Sequence, residues 1–213
     1  MLLNLEAEIK QLSENNQYAI VETFHSIQGE GFWAGCNSFF IRLAGCDVHC
    51  PWCDQKETWT TKKYPRLSAP EILNLVNEAN TEHIIITGGE PLLYNLDELT
   101  QVLAKSGAKL HIETSGAHRF SGYFDWVTFS PKTYLHPHPS IYDRVDELKV
   151  VVDTPKDLQW AELQAQKITN PKALKYLQPQ WDKPETQEMI FNYILNHPQW
   201  RMSLQTHKFL GVR

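Results

Sequence analysis

Several features that would place a protein at once are missing or scarce here. Only four cysteines occur in 213 residues, and none follows Cys53. A disulfide framework is therefore not expected. No apolar run approaches the roughly 20 residues that a membrane-spanning helix needs. Basic residues are outnumbered: 20 Lys and Arg against 25 Asp and Glu leave a formal charge of −5. That excludes the basic face of an ordinary nucleic-acid binder. The opening stretch MLLNLEAEIKQLSENN breaks its apolar positions with acids, so it does not read as a signal peptide. A cytoplasmic location is expected, where thiols stay reduced. Repeats, low-complexity tracts and Gly/Ser linkers are lacking. So are a phosphate loop, a dinucleotide fingerprint and a Ser/His/Asp order.

What is present fits one sizeable domain. Hydrophobic residues make up 42% of a 24.7 kDa chain, enough to bury a core. Residues 18–213 are expected to form it, behind a lead-in (1–17) that is helical over 5–14. Compact apolar runs recur as strand candidates: 19–24, 38–44, 83–87, 109–114, 126–130, 147–152, 174–178 and 201–205. Several are β-branched with little alternation, as suits a sheet covered by helices. Between them lie amphipathic segments. One opens at Ser68, with Pro70 in its first turn and Glu71 as capping-box partner. Another runs from Asn95 or Asp97 to Ser106-Gly107; 155–167 and 184–196 complete the set. Strand–helix alternation implies a parallel sheet. About six such strands fall short of a full (β/α)₈ barrel, which takes about 250 residues. The expected fold is α/β, an abbreviated, open (β/α) barrel with a short N-terminal hairpin.

Chemistry in such sheets gathers at the C-terminal ends of strands. There, after 38–44, stands CDVHCPWCD (46–54), with Cys46, Cys50 and Cys53. Three thiolates suit two kinds of metal. A structural zinc needs a fourth ligand, for which His49 and Cys36 are the nearby choices. A 4Fe–4S cluster can be held by three cysteines, leaving one iron open to an exogenous ligand. After the next barrel strand the chain reads IIITGGEP. Its two glycines allow close backbone approach and leave amides and carbonyls for a ligand. Upstream, Gln28-Gly29-Glu30-Gly31 reads as a polar hairpin turn. Arg42 lies in an otherwise apolar strand and needs an anionic partner, which a carboxylated substrate would supply.

The C-x₃-C-x₂-C spacing of CDVHCPWCD, followed by TGGEP, resembles the radical S-adenosylmethionine superfamily. That resemblance implies a cluster on Cys46, Cys50 and Cys53 whose open iron chelates S-adenosylmethionine. Reductive cleavage then gives a 5′-deoxyadenosyl radical. The wider pattern, SIQGEG…FFIRLAGC…CPWCD…TGGEP…FSPK…DELKVVVD…LQPQWD…SLQTHKFLGVR, resembles the 7-carboxy-7-deazaguanine synthase family over nearly all of 18–213. Transferred by position, the resemblance assigns the pterin substrate to Ile27, Gln28, Gly29, Glu30, Arg42, Thr87, His207 and Arg213. It assigns S-adenosylmethionine to Trp52, Gly88, Gly89, Glu90, Ser130, Pro131, Lys132, Gln178, Pro179, Gln180 and Trp181. Many family members carry Thr after CPWCD as a Mg²⁺ contact; here Gln55 stands there, a longer oxygen donor. A flavodoxin or ferredoxin as reductant and a homodimer are further implications. A glycyl-radical activase and a zinc-stabilised binding module are the rival readings. The His136/His138 pair in LHPHP reads as a rigid surface loop.

Overall fold

The computed structural model describes residues 2–213, which form a nine-stranded sheet flanked by helices. The strands are β1 (Gln17–Ile27), β2 (Asn37–Leu43), β3 (Arg66–Ser68), β4 (His83–Gly88), β5 (Lys109–Thr114), β6 (Trp126–Phe129), β7 (Glu147–Val152), β8 (Leu174–Pro179) and β9 (Arg201–Met202). Their spatial order is β3-β1-β2-β4-β5-β6-β7-β8-β9. From β2 through β9 neighbouring strands are parallel; β1 pairs antiparallel with both β2 and β3. The α/β open barrel expected from the sequence is thus observed, with the hairpin on its leading edge.

The helices are α1 (Leu2–Glu14), α2 (Ala69–Ala79), α3 (Asp97–Leu103), α4 (Pro155–Ala165), α5 (Glu185–Asn196) and α6 (Thr206–Leu210). Local chemistry sets their ends. Ser68 and Glu71 form a capping box at α2, and Asn80 ends that helix in the left-handed region. Thr154 and Asp157 do the same at the start of α4. After α3 one tighter turn leads to Gly107 at φ +77°. Strands β4 and β7 bury nearly every side chain, including Ile84, Ile85, Ile86, Leu148 and Val150. That is why they carry unbroken apolar runs.

Three details differ from the sequence reading. Residues 201–205 form only the two-residue β9, because Ser203 already turns inward to Gln178. The short β3 was not legible; it exists by pairing Arg66–Ser68 with Gln17–Ala19. Between β5 and β6 and between β6 and β7, where the sequence offered no helix candidate, no α-helix stands. The QGEG stretch is not a tight turn on the surface. Strands β1 and β2 are joined by residues 28–36, and Gln28 and Gly29 are buried.

The sheet does not close on itself. Instead the segment after β9 spans the gap back to β1. Thr206 donates to the Gly29 carbonyl through both its amide and its hydroxyl, each at 2.9 Å. Ser26 Oγ donates to the Arg213 carbonyl. The Arg213 guanidinium meets Glu22 at 2.7 Å.

Candidate active site

A cavity of about 280 Å³ opens at the C-terminal ends of the parallel strands and runs down into the barrel. The cysteine loop forms one wall. Its anchor is Ala44–Gly45, directly after β2. The Ala44 amide donates to Ala19 at 2.8 Å and the Gly45 amide to Thr58 at 2.6 Å. In return the Ala44 carbonyl accepts from the Tyr94 hydroxyl at 2.8 Å. Beyond this anchor Cys46 and Cys50 are buried and Cys53 half-buried, and all three are free thiols lining the cavity.

The donor set fits a 4Fe–4S cluster. Burial pushes the Cys46 thiol up to about 12 and raises Cys50 as well, so a thiolate there needs a compensating cation. The Cys53 sulfur also receives the Gln55 backbone N–H at 3.4 Å, and the nearby Val48 and His49 amides offset part of the rise at Cys46. Such hydrogen bonds are usual at cluster sulfurs. The fourth zinc ligands weighed from the sequence are not in place. Cys36 precedes β2 and Cys46 follows it, and seven extended residues span about 23 Å. His49 is exposed and stacks on Trp59 with ring centroids 4.4 Å apart.

The glycine pair has a packing job as well as a place on the cavity wall. A Cβ on Gly88 would lie 2.2 Å from the Leu43 carbonyl oxygen, and one on Gly89 2.1 Å from that of Gly45. The Gly89 and Glu90 amides are already used, donating to Leu43 at 3.0 Å and Gly45 at 2.8 Å. These glycines let β4 press against the cysteine loop, and both line the cavity. The Glu90 carboxylate is equally engaged, accepting from Thr114 Oγ1, Leu92 N (3.0 Å) and Ser115 N (2.8 Å).

Deeper in the barrel lies a charged floor. Lys149 of β7 donates to Glu30 and sits 3.7 Å from Glu113 of β5. Gln205 donates to Glu30 at 2.8 Å, Gln28 to Glu113 at 2.9 Å and Thr87 to Glu113 at 3.1 Å. Burial alone would disfavour ionisation of Glu30. The Lys149 ammonium, with the hydrogen bonds from Lys149 and Gln205, outweighs it and holds the carboxyl down to about 2. For Lys149 burial is likewise overcome, chiefly by Glu113 and Glu30, and its value is raised. Glu147, which accepts from Phe32 N at 2.9 Å, is pushed up to about 7 by burial, only partly offset by Lys149.

Arg42 was expected to require a ligand carboxylate. The chain itself supplies an anion: Nε donates to Glu22 at 3.0 Å, and the guanidinium lies 5.6 Å from the Phe24 ring centroid. Lys132 is half-buried, and desolvation lowers its value; it donates to both Ser130 oxygens and lies 5.8 Å over Trp52. The His207 ring presses on Gly29, where an added Cβ would come within 1.9 Å of Nδ1. Lys208 pairs with Asp54 of the cysteine loop at 2.7 Å, so the C-terminal segment borders the mouth.

Most of the residues singled out from the sequence line this cavity, Ile27, Gln55 and Gln178 included. Four do not: Pro131, Pro179, Gln180 and Trp181 lie outside the lining. Pro131, Pro179 and Gln180 are buried in the strand ends, and Trp181 is 42% exposed with its ring against Phe209. Sequence reasoning missed Glu113, Lys149 and Gln205. The first two had the same signal as Arg42, a charged residue inside an apolar strand (KLHIET, ELKVVV).

Comparison with known proteins matches residues 40–157 to the Radical SAM superfamily. The 7-carboxy-7-deazaguanine synthase of Synechocystis sp. is 54% identical over 196 residues, 92% of this chain and 94% of that one. The protein of the same name from Flavobacterium psychrophilum is 40% identical over 213 residues, covering 99% and 100%. The crystal structure of QueE from Escherichia coli has a TM-score of 0.83 at 31% identity, over 92% of this chain and 97% of that one. No helix among the described residues is long and apolar enough to cross a membrane. The open barrel, its three-thiol loop and these likenesses agree: the chain belongs to the 7-carboxy-7-deazaguanine synthase family, within the Radical SAM superfamily.

Proposed function

We propose that the protein converts 6-carboxy-5,6,7,8-tetrahydropterin to 7-carboxy-7-deazaguanine with loss of ammonia, a radical carbon–nitrogen lyase of queuosine and related 7-deazapurine biosynthesis. One observation carries this reading: a single cavity joins the three thiols to Arg42 and the Glu30–Lys149–Glu113 floor. Cys46, Cys50 and Cys53 would hold the cluster, with Ser130, Lys132 and Gln178 beside S-adenosylmethionine. When bound, these two groups supply the radical that takes hydrogen from the substrate carbon bearing the carboxylate.

The chain's own residues bind, orient and exclude. Glu22 holds Arg42 by Nε, and the remaining N–H edge faces the substrate carboxylate, where a bidentate pair gives both strength and direction. Glu113 and Glu30 accept hydrogen bonds from the pyrimidine ring, and Gln28 and Thr87 fix the Glu113 carboxylate for that purpose. The segment carrying His207 and Arg213 keeps water from the reacting carbon. No protein general base is assigned.

Magnesium enters with the substrate carboxylate in this scheme. Gln55 lines the cavity beside Cys53 and offers one neutral oxygen, while Asp54 is held by Lys208. One protein donor is enough, because Mg²⁺ keeps several waters and takes its other ligands from substrate. A flavodoxin or ferredoxin supplies the electron, and the working unit is a homodimer.

The test is anaerobic incubation of cluster-loaded protein with reductant, S-adenosylmethionine and 6-carboxytetrahydropterin, followed by mass spectrometry. The expected result is 7-carboxy-7-deazaguanine with S-adenosylmethionine recovered. Accumulation of 5′-deoxyadenosine alone contradicts the substrate assignment.

A further inference from the structure

Helix α1 has no part in the scheme above, yet it lies against the most constrained point of the cysteine loop. Gly45 stands at φ +102°, a conformation that side-chain-bearing residues rarely adopt. The space its missing side chain leaves is filled from outside: a Cβ there would meet Ile9 Cδ1 at 2.5 Å and Thr61 Cγ2 at 3.3 Å. Ile9 is fully buried and Leu12, one helical turn on, is 5% exposed; both belong to the same core as Leu43 and Ala44. Polar ties fix the helix over this spot. Ser13 Oγ accepts from the Asn95 amide at 3.2 Å, and Glu8 meets Arg66 of β3 at 3.3 Å.

We propose that α1 is a buttress for the metal-binding loop and that Ile9 is a positioning residue for Cys46. Strand β1, the turn after β4 and Thr58 hold Ala44–Gly45 through backbone hydrogen bonds involving Ala19, Glu90 and Thr58. Those bonds leave the outer side of Gly45 open unless an apolar side chain covers it. Ile9 covers it. The segment before the first cysteine is then packed on both sides, and opening it requires α1 to give way. Cys46, Cys50 and Cys53 follow within eight residues, so an opening at Gly45 exposes the first ligand to solvent and oxygen. The inference rests on the cluster reading of Cys46 but not on the substrate.

The test uses the full-length chain carrying Ile9→Ala, with Ile9→Val as a milder variant and Lys10→Ala as a control at an exposed position of the same helix. Iodoacetamide labelling of the cluster-free protein is followed peptide by peptide, with Cys36, beyond the far end of β2, as internal reference. A buried thiol reacts through local opening, so removing the Ile9 packing should raise the Cys46 rate relative to Cys36 by about tenfold. Ile9→Val should give a smaller rise and Lys10→Ala none. Cluster-loaded Ile9→Ala should also bleach faster in air, read by visible absorbance. A Cys46-to-Cys36 ratio that stays at its wild-type value overturns the proposal. So does an equal rise at all four cysteines, because that is global destabilisation and not a hold on this loop.

Discussion

Lys149 and Glu30 stand 119 positions apart in the chain and form a buried ion pair at the bottom of the cavity. The pair fastens the β1–β2 connection into the barrel, with Glu113 completing the charge balance around one ammonium. Removing one partner leaves uncompensated buried charge. Lys149→Met should therefore destabilise the protein by about 3 to 5 kcal/mol. The Lys149→Met, Glu30→Gln double variant should recover part of that loss. Denaturant unfolding of the three proteins checks it, and a stable Lys149→Met protein contradicts it.

Glu147 gives the floor a pH signature. Its folded value of about 7 lies above the ordinary 4.5, so the folded state binds this proton more tightly. That stabilisation is fully present below about pH 4.5 and is lost as pH rises through about 7. Glu30, held down to about 2, acts in the other direction: its contribution is present above about pH 4.5 and lost as pH falls toward 2. Glu147→Gln keeps an acceptor for Phe32 N and should flatten stability between pH 4.5 and 7, a change of about 1 to 3 kcal/mol. It should leave the acid limb unaltered. Unfolding curves across pH 3 to 8 measure both.

Gly89 faces backbone, not a flexible side chain, so nothing nearby can give way. Gly89→Ala should cost about 3 kcal/mol or more and lower the iron bound per chain after reconstitution. Gly107→Ala is the useful contrast: unlike Gly89 it stands at positive φ, but an added Cβ meets nothing within 4 Å. That variant should lose less stability and retain full iron. Equal iron loss in both would remove the close-packing explanation.

Much of this was legible beforehand, for identifiable reasons. Strand β5 was read from its first residue to its last because Leu110 and Ile112 sit in a compact run bounded by Gly107 and Ser115. The start of α2 was visible in Ser68 and Glu71, since a capping box is local. Long-range partners were not. Glu22 lies twenty residues before Arg42 and meets it through the antiparallel register of β1 and β2; nothing in either segment names the other. The glycines of TGGEP showed their need for space in sequence, but not that Leu43 backbone crowds Gly88 and the Gly45 carbonyl crowds Gly89. Three-residue β3 carries too little pattern to be found before its partner strand is placed.

Arg42 provides the sharpest kinetic test of substrate recognition. Lysine keeps the charge but loses the planar fork. Arg42→Lys should lower kcat/KM by about 100-fold, mainly through KM, with iron content and the visible spectrum unchanged. Equal kinetic constants in the two proteins would take Arg42 out of substrate binding.

The central claim is that the cavity beside Cys50 performs cluster-dependent ring contraction of a carboxylated pterin. Wild-type protein and Cys50→Ala, reconstituted side by side without oxygen, are given the same substrate, reductant and S-adenosylmethionine, and iron and 7-carboxy-7-deazaguanine are quantified in each. The account predicts about four irons per chain and product in the wild type, with the iron largely lost and no product in the variant. Product at wild-type level from Cys50→Ala, or wild type that binds four irons and leaves the pterin untouched, would contradict it.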